Sequence, residues 1–198
     1  MRIAQHIEYY RNNINNGLDA IDQKTFASIV SVLTNAFLAR ATIFVCGNGG
    51  SASISEHFTC DHGKGIATNT NYFPKFVSLN SNVATLTAYA NDCGYENVFK
   101  NQLVNHAETG DVLIAISSSG NSKNIIEAIQ AAKKLDLKTI SFTGFDGGEA
   151  KMISDLNIHI PVNNYGVVED CHQIIMHMLA QYIRVRDNTS VDLDKIKL

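Results

Sequence analysis

Apolar positions recur along this chain in two rhythms. From His6 to about Leu38 they fall at Ile7, Ile14, Leu18, Ile21, Phe26, Ile29, Val30, Leu33 and Phe37, the spacing of amphipathic helices. Asp22 interrupts the series and predicts a cap between two helices. Beyond residue 41 the rhythm changes to short β-branched runs. Thr42-Ile43-Phe44-Val45-Cys46, Phe76-Val77-Ser78-Leu79, Val112-Leu113-Ile114-Ala115-Ile116 and Thr139-Ile140-Ser141-Phe142 each read as a buried strand. A fifth run, Ile158-His159-Ile160-Pro161-Val162, holds a proline that suits a sheet edge or a strand end. Helical patterns fill the gaps, most plainly Asn124 to Leu135 and Glu169 to Val185. Strands alternating with helices predict an α/β fold, a doubly wound parallel five-stranded sheet preceded by N-terminal helices. The expected organisation is therefore helices over 1–40, an α/β domain over 41–187, and a loosely held polar tail over 188–198.

Composition narrows the partners. The 198 residues are 45% hydrophobic and 18% charged, enough to bury a sizeable core. A formal net charge of −3, with no basic stripe at helical spacing, argues against nucleic acid as a partner. No apolar run approaches the roughly 18 residues of a membrane span, and no signal-like segment follows Met1. The expectation is a cytoplasmic protein with no membrane partner. Cys46, Cys60, Cys93 and Cys171 form no C-x-x-C pair and are expected to be reduced and buried.

The candidate chemistry lies first in two loops. Gly47-Asn48-Gly49-Gly50-Ser51-Ala52-Ser53 joins a strand to a helix, and its glycines let backbone N–H groups approach an anion closely. Read alone, it is also an ordinary glycine-rich turn. Ser117-Ser118-Ser119-Gly120-Asn121-Ser122 follows strand 112–116 directly. One serine there suffices as a helix cap. Several more hydroxyls, with no Arg or Lys among them, suit a phosphomonoester held by neutral donors at a helix N-terminus. In an open α/β sheet both loops lie beyond the carboxyl ends of the strands, where ligands bind.

The runs GNGGSAS, ISSSGNS and TGFDGG, with Ala90-Asn91-Asp92-Cys93-Gly94-Tyr95 and Gly110-Asp111-Val112-Leu113-Ile114, resemble the sugar isomerase (SIS) domain family and, within it, the phosphoheptose isomerases. The likeness spans roughly Ala41 to Ile183. It implies a homotetramer that interconverts sedoheptulose 7-phosphate and D-glycero-D-manno-heptose 7-phosphate for capsule or lipopolysaccharide synthesis, in some members with zinc. It also implies that Ser117, Ser118, Ser119 and Ser122 hold the phosphate, while Asn48, Gly49, Gly50, Ser51, Asn91, Asp92 and Glu169 line the sugar. The apolar surplus of the N-terminal helices agrees with an oligomer.

Two further segments carry histidines and carboxylates at helical spacing. His57 and Asp61 are four apart, Glu169 and His177 eight apart, so each pair shares a helix face. Such pairs are also common on solvated helix surfaces. The family resemblance implies a zinc or other divalent-metal site at His57, Asp61, Glu169 and His177. It also implies catalytic roles for Asp61 or Glu169 as base and His177 as acid. The chain departs from the family pattern at two of these positions. Asp61 stands where the family has Glu, and Glu169 where it has Gln. Val167-Val168 replace Arg-Ile, and the family arginine after the first helix is missing, with Lys64 one position off. These departures leave open an isomerase of another ketose phosphate, or a non-catalytic phosphosugar-binding protein. His6, His62, His106 and His159 match no motif and are expected to be structural, with His172 at most behind the site.

Overall fold

The structure, a computed structural model, describes residues 2–68 and 70–186; the expected tail lies outside them. Two helices, α1 (Ile3–Asp19) and α2 (Gln23–Ala39), lead into strand β1 (Thr42–Gly47). Helix α3 (Gly50–Cys60) runs on into a π-helical turn, Asp61–Gly65. Then follow β2 (Lys75–Ser78), α4 (Val83–Cys93), α5 (Val98–His106), β3 (Val112–Ser117), α6 (Lys123–Lys134), β4 (Lys138–Gly144), α7 (Gly148–Ile153), β5 (Leu156–Ile160) and α8 (Tyr165–Val185). Asp22 caps α2 as its position predicts, its carboxylate accepting from Thr25 N at 2.8 Å.

All four strand pairings are parallel, in the order β2-β1-β3-β4-β5. From β1 the chain crosses first to β2 on one side, then returns to β3 on the other. The loops after β1 and β3 therefore diverge at a topological switch point, which opens a crevice between them. The paired ends Gly47 with Ile116 and Ser117 with Thr143 set the glycine loop and the serine loop at neighbouring heights.

Strand residues alternate between two cores, as period-two geometry requires. Ile43, Val45, Ile114, Ile116, Ile140 and Phe142 pack under α2, α3 and α8. Phe44, Cys46, Leu113 and Ala115 face α5 and α6. All six residues of β3 are buried, which explains why its sequence is a continuous apolar run. Pro161 stops β5 at Ile160, and β5 is a sheet edge, in line with the proline's two readings.

Two expectations need correction. Cys46 and Cys171 are buried, but Cys60 and Cys93 are exposed; all four are free. Cys60 ends α3 and Cys93 ends α4, a helix with no buried residue, so neither thiol faces a core. Helix α8 also begins at Tyr165, a full turn before Glu169. Asn164 caps it by accepting from Val167 N at 3.2 Å. Among the described residues no helix is long and apolar enough to cross a membrane.

Candidate active site

The glycine loop is held by amides from elsewhere in the chain. Asn80 clamps both backbone groups of Gly47, accepting from its N–H at 3.1 Å and donating to its carbonyl at 2.9 Å. Asn48 and Asn124 exchange two amide hydrogen bonds, each 2.8 Å. Tyr95 donates its hydroxyl to Asn48 at 2.9 Å. Because Asn124 lies in the first turn of α6, this pair ties the glycine loop to the helix that follows the serine loop. Gly49 holds φ +55°, a conformation glycine adopts without strain, and its carbonyl starts α3 by accepting from Ala52 N and Ser53 N.

In the serine loop, Ser117 and Ser119 accept from Gly120 N and Asn121 N, each at 3.2 Å. Ser122 is the N-cap of α6, yet its side chain makes no capping hydrogen bond. The Ser118 hydroxyl is buried and without a partner, and an unpaired buried donor is costly. Gly120 turns the loop at φ +66°, packed so closely on the Gly147 carbonyl that no Cβ would fit. The result is a tight turn with spare hydroxyls at a helix N-terminus, a geometry suited to an anion.

Glu169 reaches the same end of the sheet. Its carboxylate fills the space a side chain at Gly50 would need. Burial, helped by the neighbouring Asp170 charge, pushes its carboxyl above the usual range.

A second cluster lies farther along the same two helices. His57 Nε2 and His177 Nε2 each stand 3.3 Å from Asp61 Oδ2, and the imidazoles meet edge to face at 5.0 Å. One ligand atom from each of the three residues lies within 4.8 Å of the others. The π-helical turn at Asp61 is pinned from behind by His62. That ring is fully buried, stacks on Phe58 at 4.0 Å, and donates Nε2–H to the Met176 carbonyl at 3.0 Å. A groove of about 480 Å³ opens beside the cluster, with Asp61 and His177 on one side and Lys64 and Arg184 among its walls. Two imidazoles and a carboxylate, converging and partly exposed, are a donor set that fits zinc or a similar divalent cation.

The structure gathers the sequence-predicted residues into two groups rather than one. Asn48, Gly49, Gly50, Ser51 and Glu169 meet at the glycine loop, beside Ser117, Ser118, Ser119 and Ser122. His57, Asp61 and His177 form the second group. Glu169, expected as a fourth ligand, is not among them. Eight residues of helix separate it from His177, about 12 Å along the axis, and its carboxylate is spent against Gly50. Asn91 and Asp92 sit exposed near the end of α4 and bond to each other at 2.7 Å. His172 is fully buried and donates to the Thr143 carbonyl at 3.2 Å, a packing role. Asn80, Asn124 and Gln173 were not singled out from the sequence, and Tyr95 stood there only as the end of the run from Ala90. Gln173 did leave a signal, since it shares the α8 face of Glu169 and His177, four residues from each.

Residues 9–144 match the SIS domain family model. Phosphoheptose isomerase of Helicobacter pylori (strain ATCC 700392 / 26695) is 37% identical over 168 residues, covering 81% of this chain and 83% of that protein. The solved phosphoheptose isomerase of Neisseria gonorrhoeae superposes with a TM-score of 0.83 at 29% identity, over 92% of this chain and 96% of that one. That of Francisella tularensis gives 0.84 at 27% identity, over 93% and 99%. The serine loop at the switch point, the paired helices behind it and these likenesses agree: the chain belongs to the SIS domain family and, within it, to the phosphoheptose isomerases.

Proposed function

We propose that the protein is an aldose–ketose isomerase that converts sedoheptulose 7-phosphate to D-glycero-D-manno-heptose 7-phosphate, for nucleotide-activated heptose of a surface polysaccharide. The observation that carries this reading is the set of spare hydroxyls at the N-terminus of α6, with the Glu169 carboxylate, raised in pKa by burial, set against Gly50 of the glycine loop. The serine loop takes the phosphate, and the glycine loop with Asn48 and Ser51 takes the sugar hydroxyls. Orientation by the phosphate matters because the reacting carbons lie at the other end of the substrate.

Isomerisation moves a proton from C1 to C2 while the O2 carbonyl becomes a hydroxyl and the O1 hydroxyl becomes a carbonyl. Glu169 suits the base: its raised pKa makes it a stronger proton acceptor than an exposed glutamate, nearer to the working pH. It takes the C1 proton, an enediolate forms, the O1 hydroxyl proton passes across the enediolate to O2, and the same carboxyl returns its proton to C2. His57, Asp61 and His177 would hold a divalent cation such as zinc, which would supply Lewis-acid chemistry at their end of α8. We read His177 as a ligand rather than the acid, since its Nε2 faces the Asp61 carboxylate.

Assembly as a homotetramer is part of the same reading. Ile3 and Ile7 of α1, one turn apart on a shared face, are 81% and 59% exposed, apolar surface that a neighbouring subunit would cover. A monomer mass by light scattering at micromolar concentration overturns the assembly. For the activity, the test is incubation with sedoheptulose 7-phosphate, with and without chelator, followed by NMR of the sugars. New aldose signals are expected, and fewer with chelator; an unchanged ketose spectrum overturns the reading.

A further inference from the structure

The two histidines of the second cluster are joined by a residue outside the triad. Gln173 stands on α8 one turn before His177. Its amide nitrogen lies 2.9 Å from His57 Nδ1 and 3.2 Å from His177 Nε2. The side chain thus bridges α8 to α3. His57 meanwhile presents its other nitrogen, Nε2, to Asp61 at 3.3 Å. Both ring nitrogens of His57 are therefore engaged, one by a carboxylate and one by an amide.

A neutral imidazole carries one ring proton, so those two contacts depend on each other. With the amide nitrogen toward the ring, Gln173 donates to Nδ1, and the proton sits on Nε2 facing Asp61. With the carboxamide turned over, its oxygen accepts from Nδ1–H. The same turn takes the amide N–H away from His177 Nε2, so the Nε2 lone pairs of both rings are then free, as a cation requires. The two arrangements differ by a half-turn of a group whose oxygen and nitrogen are almost equal in size. An acceptor behind a ligating imidazole fixes the ring's tautomer and orientation and raises its basicity.

We propose that Gln173 is a positioning residue that selects the tautomer of His57 and so sets how tightly the His57–Asp61–His177 group holds a divalent cation. The proposal rests on reading that group as a metal site. Leucine at 173 keeps the bulk and loses both hydrogen-bonding roles. Glutamate keeps an acceptor and cannot donate, so it enforces the Nδ1–H form.

The experiment measures zinc affinity of the full, metal-stripped chain by chelator competition, together with the His57 tautomer by long-range nitrogen–proton NMR on histidine-labelled protein. Gln173→Leu is expected to weaken zinc binding by about 10–100-fold. Gln173→Glu is expected to bind at least as tightly as wild type, and to move the His57 proton to Nδ1 even without metal. Equal zinc affinity in wild type and Gln173→Leu overturns the role of Gln173 alone. An unchanged His57 tautomer in Gln173→Glu does the same with no metal involved. Failure of the wild-type chain to bind zinc instead overturns the metal-site reading beneath the proposal.

Discussion

At one end of the sheet the proposed sugar-phosphate site is built from two strand-to-helix turns, with their glycines, backbone N–H groups and serine hydroxyls. The cluster of His57, Asp61 and His177 is assembled from side chains on two helices that meet only in the folded molecule, through residues 116 to 120 positions apart in sequence. Local sequence supplies the donors of the first, while Asn80 and Asn124 hold its glycine loop from a distance. Packing of α3 against α8 decides the second. The first should thus keep its donors so long as those amides remain, while the second should respond to any change in how the two helices meet.

That comparison can be broken in several ways. The largest expected effect is at Glu169, the one α8 residue that serves the crevice. Glu169→Ala should lower kcat by about 10²–10⁴-fold, the range for a lost general base, with zinc content unchanged by elemental analysis. Loss of zinc alongside activity would join the two regions into one site. Next is the serine loop. Hydrogen bonds to a charged group are worth about 1.5–3 kcal/mol each, so Ser119→Ala with Ser122→Ala should weaken sugar-phosphate binding at least about tenfold. Calorimetry showing unchanged affinity in a folded double variant would sink the phosphate assignment.

A pH test probes what holds α8 in place. Burial brings His172 down to about 4 from an ordinary 6.5. Between those values the unfolded chain binds the proton and the folded one does not. The stability from this histidine is fully present above pH 6.5 and is lost as pH falls toward 4, by about 1.4 kcal/mol per pH unit. Urea unfolding at pH 7.5, 6 and 5 should show this slope in wild type and a shallower one in His172→Asn; equal slopes would exclude it. The smallest effect belongs far from both regions. Asp22→Ala removes the cap of α2 and should lower the thermal midpoint slightly, with kcat and zinc affinity untouched.

The same division explains what could be read before folding. The strands, the Asp22 cap and both loops were legible because each is encoded within a few residues. Period alone also put Glu169 and His177 on one face, but face is not height. Two turns of helix carry Glu169 to the glycine loop and leave His177 with His57. Asn80 and Asn124 clamp residues 33 and 76 positions away, and no local pattern announces such partners. The exposure of Cys60 and Cys93 was hidden for a related reason, since composition says which residues prefer a core and not which helix ends reach one.

Gly50 has a consequence for how this protein can change. It starts α3 without needing a left-handed backbone, and alanine there would ordinarily favour the helix by up to about 1 kcal/mol. Only the Glu169 carboxylate stands there, and it is the far end of a flexible, half-buried side chain. The two positions are therefore coupled through the place of one carboxylate and not through the backbone. Alanine at 50 should fold and displace that carboxylate, so a change at the start of α3 re-aims a residue that belongs to α8.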